Sequence, residues 1–250
     1  MLPSSDPKFR GADPSDAEKY VQLLAEIKTA LDGKELSISV PSRPLDRRLY
    51  TADVAQGIDS LVDWWNVMTY DYVNRRDTQT NFHTGGVVVA DTLAYYSGFG
   101  IKTSRMVIGF ALYAKWFILN GADSASCSAS KPIGCRMGGY EDSTGADDGQ
   151  SGSWTFNQQL NPTTNATVAA SYQSIPSSGT NISDPKQMSS AFYDSAHHIF
   201  WTWASPDDIK KTCQTYKDQV AGVGLWSLNQ DIDAASGGDH IKAVADCMAS

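Results

Sequence analysis

Asp63-Trp64-Trp65-Asn66-Val67-Met68-Thr69-Tyr70-Asp71-Tyr72 is the stretch that decides the fold. Its centre is apolar on both sides of the alternation, which predicts a parallel strand covered on both faces. Asn66, Met68 and Tyr70 fall on one face; Trp65, Val67 and Thr69 fall on the other. In an α/β barrel the inner face of such a strand delivers side chains to the C-terminal mouth, where chemistry sits. Met-Thr-Tyr-Asp has the form of a strand end that handles a ligand. Taken alone, the same residues also fit a core strand with a polar end, so the neighbouring segments decide.

Outward from this strand the pattern alternates between strand and helix. Strands are expected at about 35–40, 63–69, 106–112 and 222–228. Asp13-Pro14-Ser15-Asp16-Ala17-Glu18 predicts a capped helix start, with Ser15 and Glu18 at capping-box spacing. Tyr20, Leu23, Leu24, Ile27 and Leu31 then recur on one helical face, and Gly33 ends the helix. Further helices are expected at about 51–60, 88–96, from Ser205-Pro206-Asp207-Asp208 to Asp218, and at 239–247. Residues 1–12 read as a loop.

Between 113 and 203 this alternation stops, and the segment is too long for a single βα loop. Its strands read as short and antiparallel. Trp116, Trp154, Trp201 and Trp203 in this region are candidate sugar platforms, although filling a local core suits most of them better. His197 and His198, adjacent in a strand, point to opposite faces and do not share a metal. His83 could contact a ligand, although a solvated loop histidine is the commoner reading, and it is given no metal role. The loop with Arg43, Arg47 and Arg48 could meet substrate at a barrel mouth, although a solvated, salt-bridged surface is the commoner reading.

The 250 residues carry a net charge of −8 and are 41% hydrophobic. The acidic balance argues against nucleic acid as a partner, and no apolar run approaches a membrane helix. Cys127, Cys135, Cys213 and Cys247 allow three pairings and fit no zinc pattern. Cys127–Cys135, closing a small loop, and Cys213–Cys247, joining two late helices, are the favoured pairs. The sequons at Asn165 and Asn181 predict glycosylation and a secreted, extracellular protein. The first residues, Met1-Leu2-Pro3-Ser4-Ser5-Asp6, do not read as a signal peptide.

The organising strand resembles the sixth barrel strand of glycoside hydrolase family 18, the chitinases and their relatives. Ile108-Gly109-Phe110-Ala111-Leu112-Tyr113 resembles the seventh, and Gly222-Val223-Gly224-Leu225-Trp226-Ser227-Leu228-Asn229-Gln230-Asp231 the eighth. Met68 to Asp77 and Cys127 to Asp148 resemble the secreted fungal members. The resemblance implies an α/β fold, a partial TIM (β/α)8 barrel of about strands five to eight. Its parts are barrel strands five to seven in residues 1–112, a small α+β insertion domain in 113–203, and strand eight with the last helices in 204–250. It implies hydrolysis of β-1,4-linked N-acetylglucosamine polymers by a substrate-assisted mechanism. Tyr70 and Asp71 are the implied supporting residues at the reacting sugar, and Met68, Tyr113 and Trp226 the implied substrate contacts. No cofactor or metal is expected; the expected partner is chitin or its oligomers.

The family's fourth strand carries Asp-x-x-Asp-x-Asp-x-Glu, and these 250 residues contain no such motif. Glu18, Glu26, Glu35 and Glu141 are the only glutamates. None stands two residues after an Asp at a strand end, so no catalytic acid is assigned. Four barrel strands where eight close a barrel suggest a truncated chitinase. The alternatives are a half-barrel completed by a further chain and a non-catalytic, lectin-like chitin binder.

Overall fold

A computed structural model describes residues 15–250 other than 143, 162–164, 176–181, 185 and 233–236. The expected loop 1–12, the helix-start residues Asp13 and Pro14, and the sequon residue Asn181 lie outside the described residues. In chain order the elements are α1 (Asp16–Ala30), β1 (Ser37–Pro41), α2 (Ala52–Asp59), β2 (Trp64–Met68), α3 (Gly86–Ser97), β3 (Met106–Ala111), β4 (Tyr113–Ile118) and β5 (Ser151–Thr155). Then come α4 (Ala166–Gln173), β6 (Ile182–Asp184), β7 (Ser189–Asp194), β8 (Ile199–Trp203), α5 (Pro206–Tyr216), β9 (Gly222–Trp226) and α6 (Asp239–Ala249).

Four strands form a parallel sheet in the order β1-β2-β3-β9. The register pairs Val40 with Val67, Val67 with Ile108, and Ile108 with Val223. Residues of that parity therefore share one face. Helices α2, α3, α5 and α6 cover it, through Ile58, Tyr96, Ile209 and Val244 among others. Trp65, Met106 and Ile108 are fully buried there. Each such side chain contributes about 1.5–3 kcal/mol of hydrophobic stabilisation.

The opposite face carries Ser37, Ser39, Asn66, Met68, Val107, Gly109, Gly222, Gly224 and Trp226. It is mostly half-buried or exposed. The expectation that the organising strand is covered on both faces is therefore corrected: the described residues cover one. The helices of the βα units lie on the Trp65 side, and the other side is lined by polar and small residues together with Met68, Val107 and Trp226.

Leu112 passes the chain directly from the parallel sheet into a second one, antiparallel, in the order β5-β4-β8-β7-β6. Its N–H donates to the Trp226 carbonyl at 2.9 Å, and its side chain is buried. Trp116, Trp154, Trp201 and Trp203 are at most 9% exposed and form the core of this second sheet with Val168 and Phe192. None of the four is available to stack on a sugar.

Local chemistry explains the helix ends. Ser205 and Asp208 form a reciprocal capping box at α5, with Pro206 in the first turn. Thr51 caps α2 by accepting from the Val54 N–H. At α1 the expected capping box does not form: Ser15 has helical backbone angles and no side-chain cap bond. The apolar stripe of α1 is only partly used, since Leu24 is buried while Leu23 and Ile27 remain 50% and 37% exposed.

Cys127 is bonded to Cys135, with Cα atoms 5.1 Å apart. Cys213 is bonded to Cys247, with Cα atoms 6.3 Å apart, tying α5 to α6. His197 and His198 lie in the turn between β7 and β8, not in a strand, and His198 has a positive φ of 57°. The His197 imidazole closes that turn against Asp194 at 2.6 Å.

Candidate active site

Tyr70 and Asp71 leave the C-terminal end of β2 where three side chains pin the backbone. Thr69 Oγ1 donates to the Gly109 carbonyl at 2.6 Å. Thr84 Oγ1 donates to the Thr69 carbonyl at 2.8 Å, and Ser42 Oγ to the Tyr70 carbonyl at 3.0 Å. Asp71 then adopts φ 55°, a left-handed conformation that aspartate tolerates better than most residues. The strand thus ends in a fixed turn.

The Tyr70 ring lies across Gly109 of β3. A Cβ at Gly109 would stand 2.8 Å from Tyr70 Cε1 and 3.1 Å from the Val67 carbonyl, so only glycine admits the ring there. Gly109 shares its face with Gly224, and hence with Trp226 two residues further along β9. Tyr70, Met68 and Trp226 therefore belong to the open face of the sheet. Trp226 is 59% exposed, its carbonyl held by Leu112, and its peptide bond to Ser227 is cis.

Tyr113 opens β4, and its hydroxyl donates to Asp71 Oδ1 at 2.9 Å. Lys115, two residues on and so on the same side of β4, brings its ammonium to 3.2 Å from the same oxygen. Half of the Asp71 side chain is open to solvent; the other half faces these two groups. Burial pushes the Asp71 carboxyl up, but the Lys115 ammonium and the Tyr113 hydroxyl outweigh it and hold the pKa below the usual value. Burial, with the Asp71 charge, pushes the Tyr70 hydroxyl up to about 12. Tyr113 is likewise raised, first by burial and then by Asp71. Both phenols therefore remain hydrogen-bond donors across the physiological range, next to an ionised carboxylate.

His83 corrects a sequence expectation. It is fully buried, not solvated, and its ring sits 5.5 Å from that of Tyr113. Its backbone ties the site together: the Tyr72 N–H donates to its carbonyl at 3.0 Å and its own N–H donates to Thr202 Oγ1 at 3.3 Å. Burial drives the imidazole pKa down to about 3, against the opposing pull of Asp71. The ring is neutral at physiological pH.

In the arginine loop the expected ion pairs form, but the expected solvation is corrected. Arg43 and Arg47 are buried, at 4% and 6% exposure, and only Arg48 is exposed. Arg43 makes a two-pronged pair with Asp77 at 2.8 and 3.0 Å, and Arg47 meets Asp91 at 2.7 Å. Tyr72 donates to the same Asp91 oxygen at 3.1 Å. Beside this network lies a cavity of about 420 Å³, lined among others by Leu45, Tyr72, Gln79, Asn81 and Ile133. Its Ile133 wall belongs to the loop closed by Cys127–Cys135. Thr80 stitches that loop down, donating from Oγ1 to the Pro132 carbonyl at 2.6 Å and accepting from the Cys135 N–H at 2.9 Å.

None of the four glutamates reaches the open face. Glu18 and Glu26 lie on exposed positions of α1, and Glu35 is exposed ahead of β1. Glu141 has a buried side chain and is bound by Arg75 at 2.6 Å and Arg76 at 2.8 Å. Lys115, His83 and Gly109 were missed as site residues in the sequence. The signal for Lys115 was its i, i+2 spacing from Tyr113 in a strand starting at the mouth. His83 offered only its place in the loop after the organising strand, and Gly109 only its place inside a strand; the partners of both are distant in sequence.

The chain belongs to the glycosyl hydrolases family 18, whose model matches residues 5–231. It is 22% identical over 245 residues to sporulation-specific chitinase 2 of Saccharomyces cerevisiae, covering 88% of this chain and 44% of that protein. The fold is similar to a group IV chitinase of Ostrinia furnacalis at TM-score 0.73, with 16% identity over 98% of this chain and 66% of that one. It is also similar to a class V chitinase mutant of Cycas revoluta in complex with (GlcNAc)3, at TM-score 0.65 and 19% identity, covering 96% and 66% of the two chains. The chain thus spans less than half the length of the curated relative and about two thirds of these solved chains.

Proposed function

We propose that this chain forms the substrate-supporting part of a chitinase active site, acting on β-1,4-linked N-acetylglucosamine polymers. Residues 1–112 and 204–250 would supply strands five to eight of a (β/α)8 barrel, and 113–203 an α+β insertion. The observation that carries the reading is the joint placement of Tyr70 and Trp226 on one open sheet face, with Asp71 following Tyr70 at the end of β2. Trp226 presents an exposed ring for the apolar face of a sugar. Tyr70, kept protonated, would donate to the acetamido oxygen, which in the substrate-assisted mechanism attacks its own anomeric carbon. Asp71, held ionised by Lys115 and Tyr113, would accept hydrogen bonds from the same sugar. Met68 would form the floor and Tyr113 the wall.

The acid that protonates the leaving oxygen would come from residues outside these 250, on the family's Asp-x-x-Asp-x-Asp-x-Glu strand. Support comes from the four glutamates present, which are all exposed on α1 or ahead of β1 or paired with arginine. The paired cysteines and the sequons favour an extracellular setting. Asn165 caps α4 by accepting the Val168 N–H with Oδ1, which leaves Nδ2 for a glycan. Among the described residues no helix is long and apolar enough to cross a membrane.

Titration with N-acetylglucosamine tetramer tests the reading. Binding by the chain, lost in Trp226→Ala and absent for a cellulose tetramer, is the expected result. Equal binding of both tetramers, or binding indifferent to Trp226→Ala, would overturn it. A lectin-like role for the same residues would be favoured by tight binding without any turnover after a segment bearing Asp-x-x-Asp-x-Asp-x-Glu is joined to the chain.

A further inference from the structure

Trp226 is 59% exposed and stands at the end of an edge strand, so something beyond β9 must fix the plane of its ring. One residue of the antiparallel unit reaches the segment that follows it, Ser227 to Ile232. Asn157, at 8% exposure, donates from Nδ2 to the Asn229 carbonyl at 3.0 Å and to the Ile232 carbonyl at 2.7 Å. Its backbone N–H donates to the Gln230 carbonyl at 2.6 Å. Three bonds from a single residue thus grip three carbonyls of this segment. Asn157 itself is fixed, since Thr155 Oγ1 donates to its carbonyl and its Oδ1 accepts from the Gln159 N–H. Gln230 passes the grip back toward Trp226, its side chain accepting the Ser227 N–H at 2.9 Å.

The neighbouring residue reinforces this grip. The Phe156 ring stacks flat on His240 of α6, with centroids 3.9 Å apart and planes 3° from parallel. His240 Nδ1 lies 2.7 Å from Asp231 Oδ1, inside the same segment.

We propose that Asn157 is a positioning residue for the sugar platform: its amide locks Asn229–Ile232 and, through Gln230 and Ser227, the orientation of Trp226. The antiparallel unit would then act on the substrate through the parallel sheet and not as a passive wall. The proposal rests on the reading of Trp226 as the platform.

The test uses the full chain labelled with 5-fluorotryptophan, the Trp226 resonance being assigned from Trp226→Phe. Asn157→Asp replaces the donor by a carboxylate facing two carbonyl oxygens. Burial beside those oxygens raises the pKa of the new carboxyl. At neutral pH the Trp226 resonance should shift and broaden, and affinity for N-acetylglucosamine tetramer should fall about tenfold, as for a buried acceptor pair left without its donor. As the pH drops and the new carboxyl protonates, it donates again, so resonance and affinity should return toward wild type. Asn157→Ala should show the loss without the recovery. Because each variant is read at a temperature where it is folded, a general loss of stability does not mimic this pH profile. An unshifted Trp226 resonance and unchanged affinity in folded Asn157→Asp would overturn the proposal. Affinity indifferent to Trp226→Ala would instead overturn the platform reading, while the resonance would still decide whether Asn157 orients the ring.

Discussion

The Tyr113 hydroxyl donates to Asp71 Oδ1 at 2.9 Å, joining the first residue of the antiparallel sheet to the end of the organising strand. Lys115 brings its charge to the same oxygen at 3.2 Å. The carboxylate is thereby fixed in position and in charge state. Lys115→Met should raise the Asp71 pKa, read from its carboxyl carbon by NMR. A depressed carboxyl contributes stability above its unfolded pKa that is lost as pH falls through the folded one. The variant should therefore lose its Asp71 contribution at a higher pH than the parent.

His83 works in the opposite sense. Its folded pKa, near 3, lies below the ordinary 6.5, so in that window the unfolded chain binds a proton that the folded chain does not. Stability should fall as pH drops from about 6.5 toward 3, by up to about 1.4 kcal/mol per pH unit. Denaturant titrations of His83→Phe across this range should show that slope removed.

Gly109→Ala should displace the Tyr70 ring, because the added methyl meets Cε1 at 2.8 Å. Overpacking of this kind costs about 1–3 kcal/mol. Weaker binding of N-acetylglucosamine oligomers should accompany the lower melting temperature, whereas Gly222→Ala, with open space around its Cβ, should leave binding intact.

The two disulfides should differ in what they protect. Cys213–Cys247 spans 34 residues of sequence, and its removal by paired Ser substitution should cost about 3–4 kcal/mol in the chain-entropy account. Cys127–Cys135 spans 8, and its loss should cost about 2–3 kcal/mol. The second loss should also raise hydrogen exchange at Thr80 and at position 135, which hydrogen-bond to each other beside that bridge.

The parallel strands and the helices between them were legible because they rest on local periodicity: all four parallel strands fall within about two residues of their expected bounds, whereas α4 was not read at all. The shared face of Met68 and Tyr70 followed from period-two alternation. Burial of His83, Arg43 and Arg47 was not legible, since polar loop residues look solvated until a distant partner such as Asp77, Asp91 or Tyr113 is placed beside them. The open face of the parallel sheet was hidden for a related reason. Composition shows that a strand is apolar, but not which face its neighbours cover.

Hydrolysis of a fluorogenic chitobioside most directly tests whether this chain supports the sugar while the acid lies elsewhere. It is measured on the chain alone and on the chain joined to an upstream segment bearing Asp-x-x-Asp-x-Asp-x-Glu. The expected result is no turnover alone, since general-acid help contributes about 10²–10⁴-fold. The fusion should turn over, and Tyr70→Phe within it should slow the reaction about tenfold or more by freeing the attacking oxygen from its alignment. Robust turnover by the isolated chain, or a fusion indifferent to Tyr70→Phe, would contradict the account.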